Sequence, residues 1–365
     1  MKFPLRLFAQ FDWLLALSVF VLLLLGISAL YSIGLASNPA DFTNVTKQLI
    51  ALTLGVVVAL AFAFSNYRLL QSYAGSLYAA GALALTAVLF FGVNRRGTTG
   101  WFDLGIVDVQ PVEFAKIILV VTLAVLLARR THRYVGWRTV GVTLIPVLVY
   151  VGLVLSQPDF GSAALMLAVW GAMLLFAGLR GRVAATLTGS GVAAALLGWF
   201  VFFEEFQKQR ILTFLNPELD PLGQGYNVVQ AKIAIGAGGL FGRGLGFGSQ
   251  SQLRFLPESQ TDFIFAAIAE ELGFFGVLLI LAAVGLLFYR LWNLVAAARD
   301  DFTAYLLTGL GALLFVQFAV NIAMNLGLMP VTGLPLPFVS YGGTALLASM
   351  AVFGIIESVA LRIRS

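Results

Sequence analysis

Long apolar runs separated by short polar breaks organise this chain, rather than the residue-by-residue alternation of a half-buried strand. Ten runs stand out, near 13–34, 49–65, 73–93, 112–128, 140–156, 162–179, 183–203, 263–289, 302–326 and 337–359. A membrane-spanning helix needs about 20 apolar residues, with a range of about 17–25. The pattern predicts an all-α polytopic membrane protein of ten transmembrane helices, forming one domain over residues 1–365. Between the seventh and eighth runs, residues 204–262 form a large loop rich in Gly, Pro, Gln and Asn. Loops of that length are usually functional or disordered, and the interleaved Ile211, Leu212, Val228, Val229, Ile233 and Ile235 predict order. Near the end, Pro330, Gly333, Pro335, Pro337, Ser340, Tyr341, Gly342 and Gly343 predict a re-entrant or broken helix. Such backbone survives at membrane depth only against protein or water.

Composition agrees with the pattern: 60% of the 365 residues are hydrophobic and 11% charged, against roughly 25% charged in a soluble domain. The placement of Lys and Arg says more than the net charge of +5. One side collects Lys2, Arg6, Arg68, Arg129, Arg130, Arg133, Arg138, Arg180, Arg182, Arg290, Arg299, Arg362 and Arg364, most of them in short loops. The other collects Lys47, Arg95, Arg96 and Lys116 together with Lys208, Arg210, Lys232, Arg243 and Arg254 of the long loop, which the positive-inside rule discounts. Positive charge in short loops marks the cytoplasmic side, so both termini are expected inside and residues 204–262 outside. Trp13 to Gly34 reads as a retained signal anchor. With no cysteine, disulfides and thiolate chemistry are excluded, and the one histidine, His132, lies among arginines in a loop. The glycines from Gly236 to Gly248 lack a preceding strand and a closing Lys-Ser/Thr, so no nucleotide cofactor is expected. Nothing suggests a nucleic-acid partner.

Candidate chemistry gathers on the predicted outer face. Asp262 stands where a long apolar helix begins, with the small residues Ala266, Ala269 and Gly273 following on its face. It reads either as a helix N-cap or as a reactive carboxylate beside open space. Glu270 and Glu271 lie deeper, where charge is costly and turns toward protein or a wet cavity. On a continuous helix they point about 100° apart, which suggests either a split, Glu270 toward the site and Glu271 toward a neighbouring helix, or a buried polar clasp formed by the pair. Glu113 and Lys116 are an i,i+3 pair behind Pro111, either an interfacial ion pair or a cation oriented toward an anionic headgroup. Gln157-Pro158-Asp159 makes a polar break that is either a tight hairpin or a second wall of the cavity.

Several of these stretches, in order, resemble the SEDS family (shape, elongation, division and sporulation), most closely its RodA-like branch. They are Trp101–Gly105 through Gln110-Pro111-Val112-Glu113, Gln157–Gly161, Asp220–Tyr226 through Lys232–Gly236, Phe255–Glu258 through Thr261–Phe265, Glu270–Gly273 and Pro337–Gly343. The chain departs from the family in Phe160 and Val112, and more sharply in Arg254, where many relatives carry an acid. The resemblance implies a peptidoglycan glycosyltransferase that polymerises lipid II on the outer face of the bacterial cytoplasmic membrane. It also implies a class B penicillin-binding protein as partner, with other elongation-machinery proteins. Carried onto this chain, the family's essential aspartate falls on Asp262 and its supporting residues on Glu113 and Lys116. A carboxylate can serve as the general base on the acceptor hydroxyl, and cations can stabilise the leaving undecaprenyl pyrophosphate. Lys116, Arg210, Lys232 and either Arg243 or Arg254 are candidates for that task; Asp159, Glu258 and Glu270 are candidate substrate-binding residues. A divalent cation, Mg²⁺ or Mn²⁺, held by one carboxylate and the substrate phosphates would leave no sequence trace. The lipid tail calls for a lateral opening between helices. Alternatives are a lipid II flippase, a scaffold that only activates its partner, and a division or sporulation paralogue with the same chemistry.

Overall fold

The computed structural model describes residues 10–36, 40–95, 98–103, 105, 108–130, 134–201, 205–216, 220, 223–253 and 255–363. His132, Arg133 and Arg254 lie outside them. In chain order come α1 (Trp13–Leu35), α2 (Thr43–Phe64), α3 (Arg68–Phe91), α4 (Pro111–Arg130), α5 (Trp137–Leu155) and α6 (Phe160–Phe176). They are followed by α7 (Gly181–Val201), α8 (Glu205–Leu215), α9 (Gln224–Gly238) and α10 (Ser249–Gln252). The chain closes with α11 (Ile264–Ala296), α12 (Asp301–Asn325) and α13 (Gly343–Ile363). Among the described residues nine helices are long and apolar enough to cross a membrane, and α6 is a shorter apolar helix. Each of the ten apolar runs coincides with one of these helices. The described parts of the long loop include the helices α8, α9 and α10.

One element escaped the sequence pattern. Between α3 and α4, β1 (Val93–Arg95), β2 (Thr98–Asp103) and β3 (Asp108–Val109) form an antiparallel sheet in the order β1-β2-β3. Its strands are too short to alternate visibly. Gly100 in β2 rests against the Gln157 side chain, which itself donates to the Leu85 carbonyl at 3.1 Å.

Burial sorts the helices. α13 is the central one, with nearly every side chain from Thr344 to Leu361 buried, whereas α3 turns most of its side chains outward. α2 packs along α13 backbone to backbone: a Cβ on Gly354 would stand 2.4 Å from the Ala59 carbonyl oxygen. Small residues permit such approach where lipid tails offer no hydrophobic drive between helices. At the end of the bundle remote from the long loop, Arg290 forks onto both Asp12 carboxylate oxygens, the shortest contact being 2.6 Å.

α11 is not one helix. Gly273 has φ +66 and ψ −160, and this break leaves carbonyls without helical partners. The glycine-rich segment supplies them: Arg243 N donates to Glu270 O and Gly244 N to Glu271 O, both at 2.9 Å. In return Phe274 N donates to Gly239 O at 2.9 Å. Close approach dictates the glycines here, since a Cβ on Gly238 or Gly242 would collide with the Ala269 or Glu271 carbonyl. The run that lacks a phosphate-loop pattern is thus the seat of a helix break. Gly273→Ala is expected to destabilise the protein by about 1–3 kcal/mol from backbone strain alone. Its Cβ would also meet Gly242 N at 2.3 Å. Thermal unfolding in detergent checks the loss; an unchanged midpoint would contradict it.

Candidate active site around Asp262

Asp262 is held by its backbone. Glu258, in the left-handed region at φ +53, opens a turn in which its carbonyl accepts from Thr261 N and Phe263 N. The Asp262 carbonyl would ordinarily accept the first bond of the following helix, from Ala266 N. Instead Ala266 N donates to Asn325 Oδ1 at 3.1 Å. The Asp262 carbonyl receives Asn325 Nδ2 at 2.9 Å and Asn321 Nδ2 at 3.1 Å. Two fully buried asparagines, one turn apart on α12, therefore stand in for a helical hydrogen bond. The carboxylate is left half-buried.

The predicted re-entrant segment, residues 327–342, folds over this turn. Ser340 Oγ donates to Thr261 O at 2.7 Å, Tyr341 N to Gln260 O at 2.8 Å, and Asn321 Nδ2 also to Leu334 O at 2.8 Å. From α2, Asn44 donates to Gln260, while Gln48 gives its amide to Ser340 O and accepts from Gly342 N. Gly333, at φ +73, faces the aspartate: a Cβ there would lie 4.0 Å from Asp262 Oδ2. A side chain at 333 would crowd the carboxylate as well as strain the backbone.

Glu113 and Lys116 form a buried ion pair at 2.7 Å, with side-chain exposures of 7% and 2%. Glu113 borders a small cavity of about 10 Å³ with Gln317, Ser340 and the Pro335–Phe338 turn. That is room for about one water, and not for a sugar. Gln317, Asn321 and Asn325 form a buried polar stripe at i, i+4 and i+8 on α12. The stripe leads from the Glu113 cavity to the Asp262 carbonyl. The stripe rises about 12 Å from Gln317 to Asn325, and the 335–340 turn borders the Glu113 cavity at one end and binds Thr261, beside the aspartate, at the other.

The other candidates are more scattered. Lys232, on α9, lays its stem against Gly327, two residues beyond Asn325, where a Cβ would meet Lys232 Cε. Its charge lies at the C-terminal end of α12, where a cation is favoured. Asp159 caps α6, accepting from Ser162 N at 3.0 Å. That cap brings Gly161 under the Thr332 carbonyl, only 2.5 Å from where its Cβ would be. Glu258 is exposed and accepts from Thr261 Oγ1 at 2.9 Å. Arg210 is half-buried on α8, whose packing partner is α9. Arg243 is exposed and donates to Ala237 O at 3.0 Å.

For Glu270 the placement differs from the expectation. Its carboxylate is fully buried and accepts from Gln250 N at 2.8 Å and Ser251 N at 3.0 Å, the start of α10. Glu271 meets the same segment through Ser251 Oγ and Gln252 Nε2, and Ser32 Oγ besides. Glu271 reaches the neighbouring helix α1 through Ser32, as the split reading expected, but Glu270 turns to no cavity: the pair is a buried clasp on α10. The segment from Gly238 to Gln252 wraps around the end of this half-helix, so both faces meet protein.

A family model for the cell cycle proteins FtsW, RodA and SpoVE matches residues 7–365. The chain belongs to that family. This SEDS protein is 40% identical over 329 residues to peptidoglycan glycosyltransferase MrdB of Escherichia coli (strain K12), covering 89% of its own length and 87% of the relative. It is 37% identical to a probable peptidoglycan glycosyltransferase FtsW of Trichlorobacter lovleyi, over 98% of its own chain and 94% of the other. Among solved structures it is similar to a chain of a peptidoglycan synthase complex described as coordinating polymerization and crosslinking. That likeness has a TM-score of 0.80 and 35% identity, covering 97% and 98% of the two chains. The rod shape determining protein RodA of Thermus thermophilus aligns with TM-score 0.72 and 32% identity, over 96% of each chain.

Within this SEDS fold the sequence reading overlooked Asn321, Asn325 and Gln48. Asparagines four residues apart inside an apolar span were the available signal, since polar groups at membrane depth find partners there. Asn325→Ala is expected to lower kcat for the SEDS reaction by one to two orders of magnitude, because sub-ångström misplacement of a reacting group is costly. KM should stay near wild type. Steady-state kinetics check the split, and an unchanged kcat would show that the amide is dispensable for placing Asp262.

Proposed function

We propose that Asp262 is the general base with which this multi-pass bacterial inner-membrane glycosyltransferase polymerises lipid II during cell elongation. The chain is a peptidoglycan glycosyltransferase of the RodA-like type. The acceptor sugar hydroxyl attacks the anomeric carbon of the donor, the new C–O bond forming with inversion as the bond to undecaprenyl pyrophosphate breaks. The hydroxyl proton passes to the Asp262 carboxylate, and the pyrophosphate leaves with the bonding electron pair. The carrying observation is the double-asparagine grip on the Asp262 carbonyl, which fixes the backbone while leaving the carboxylate half-buried beside Gly333. Lys232 at the α12 terminus and Lys116 beneath the 335–340 turn supply positive charge for the leaving group. For Lys116, buried and paired with Glu113, this role requires the 335–340 turn to move aside.

Among the described residues no three acidic, histidine or cysteine side chains converge as a resident metal would require. No step is routed through Mg²⁺ or Mn²⁺; an ion carried in by the pyrophosphate would find Asp262 as its protein carboxylate. The partner in this reading is a class B penicillin-binding protein, with both termini cytoplasmic and α8–α10 outside.

The test is purified chain in proteoliposomes with fluorescent lipid II, with and without a cognate penicillin-binding protein. Glycan strands should form at the leaflet facing α8–α10. Translocation of lipid II without strands would identify a flippase, and strands that persist undiminished in Asp262→Ala with the partner present would favour a scaffold.

A further inference from the structure

At the membrane face opposite Asp262, α4 ends and α5 begins around an open cleft of about 390 Å³ lined by Leu126, Arg129, Arg130, Arg138 and Thr139. The three arginines are exposed and make no hydrogen bond or ion pair among the described residues. No acid is at hand to pair them: Asp159, at the far end of α5, is the only acidic residue between Glu113 and Glu204. Part of this charge is explained without a ligand, since Arg129 and Arg130 occupy the last turn of α4, where cations are favoured. Arg138 is not so explained. It lies in the first turn of α5, a helix start with Gly136 at its N-cap and no side-chain cap. There a cation opposes the helix dipole and the unpartnered N–H groups favour an anion.

A second observation tells which anion. One face of α5 continues upward from the cleft as an exposed apolar stripe of Trp137, Ile145, Leu148 and Val149. Gly141 interrupts it with open space where its side chain would be. Tyr134 is exposed beside the cleft, with the Arg180 guanidinium 5.8 Å from its ring. Aromatic residues of this kind belong at the level of lipid headgroups. Val135, next to Tyr134, is tied to the neighbouring turn, its N–H donating to Gly178 O at 3.1 Å.

We infer that Arg129, Arg130 and Arg138 form a binding site for the phosphodiester headgroup of an anionic phospholipid, whose acyl chain lies along the Trp137–Val149 stripe of α5. A soluble anion would use the arginines and leave the stripe idle; a lipid uses both. Guanidinium groups suit phosphate because they bind it bidentately, and basic pockets between spans on the cytoplasmic side recognise anionic headgroups.

The test is native mass spectrometry of the full chain released from nanodiscs containing phosphatidylglycerol and phosphatidylcholine, counting retained lipid. Arg129→Ala with Arg130→Ala and Arg138→Ala should lower phosphatidylglycerol affinity roughly a hundredfold, at about a factor of five per cation. Phosphatidylcholine retention should be unchanged. Arg180→Ala with Arg182→Ala removes charge outside the cleft and should cost far less; equal losses would reduce the effect to general electrostatics and overturn the site. If the triple alanine chain does not fold, the triple lysine chain replaces it. Intermediate affinity is expected there, and wild-type affinity would overturn the guanidinium assignment. Inorganic phosphate should fail to displace the lipid; full displacement would assign the cleft to a soluble anion instead.

Discussion

Asp262→Asn is expected to reduce kcat for glycan polymerisation by about 10²–10⁴-fold, the usual contribution of a positioned general base. The amide keeps the size and shape of the carboxylate and loses its ability to take a proton. The local backbone should be unaffected, because Asn321 and Asn325 hold the carbonyl of residue 262 and not its side chain. An interaction made only in the transition state lowers kcat and kcat/KM together, so KM for lipid II should change little. Initial rates over a range of lipid II concentrations, with a thermal melt as a folding control, decide the matter. Full-length strands at the wild-type rate would remove Asp262 from the chemistry.

Splitting the Glu113–Lys116 pair should give the largest loss of stability. Lys116→Met leaves Glu113 uncompensated at 7% side-chain exposure. Breaking a buried pair from one side costs about 3–5 kcal/mol, whereas replacing both members by neutral groups is often close to neutral. Lys116→Met with Glu113→Gln should therefore melt near wild type. That double variant also separates structure from catalysis: if Lys116 acts on the leaving pyrophosphate, it folds and polymerises poorly. If it both folds and polymerises normally, the pair is only a clasp beneath the 335–340 turn.

The spans were legible because each is a run of apolar residues long enough to cross a bilayer, a property that needs no partner to be recognised. The broken segment before α13 was legible for a related reason, since prolines and glycines forbid a helix wherever they sit. What the sequence concealed depends on pairs of distant segments. Glu270 and Glu271 diverge on an ideal helix, yet both are bound by α10, because Gly242 and Gly273 bring the loop around the helix break. β1–β3 are too short to show a period. Asp262 was singled out by its position at a helix start, but that its carbonyl passes to Asn321 and Asn325 could not be read locally, since those residues follow it by about sixty positions. Arg138 counted as one more short-loop cation until α4 and α5 were seen to meet around it.

The length of α12 sets an elevation. From Asp301 to Asn325 it has 25 residues, about 37 Å of helix against a hydrocarbon core of about 30 Å. A helix of this length standing upright and flush with the membrane at its acidic end would carry its last turn about 7 Å beyond the oily layer. In that posture the carbonyl that Asn325 grips would be moored at the altitude where a lipid's own phosphates float. Under the proposed reaction a carrier-linked sugar would meet the aspartate there without its tail leaving the bilayer, and the enzyme would need only to travel sideways to find its next building block.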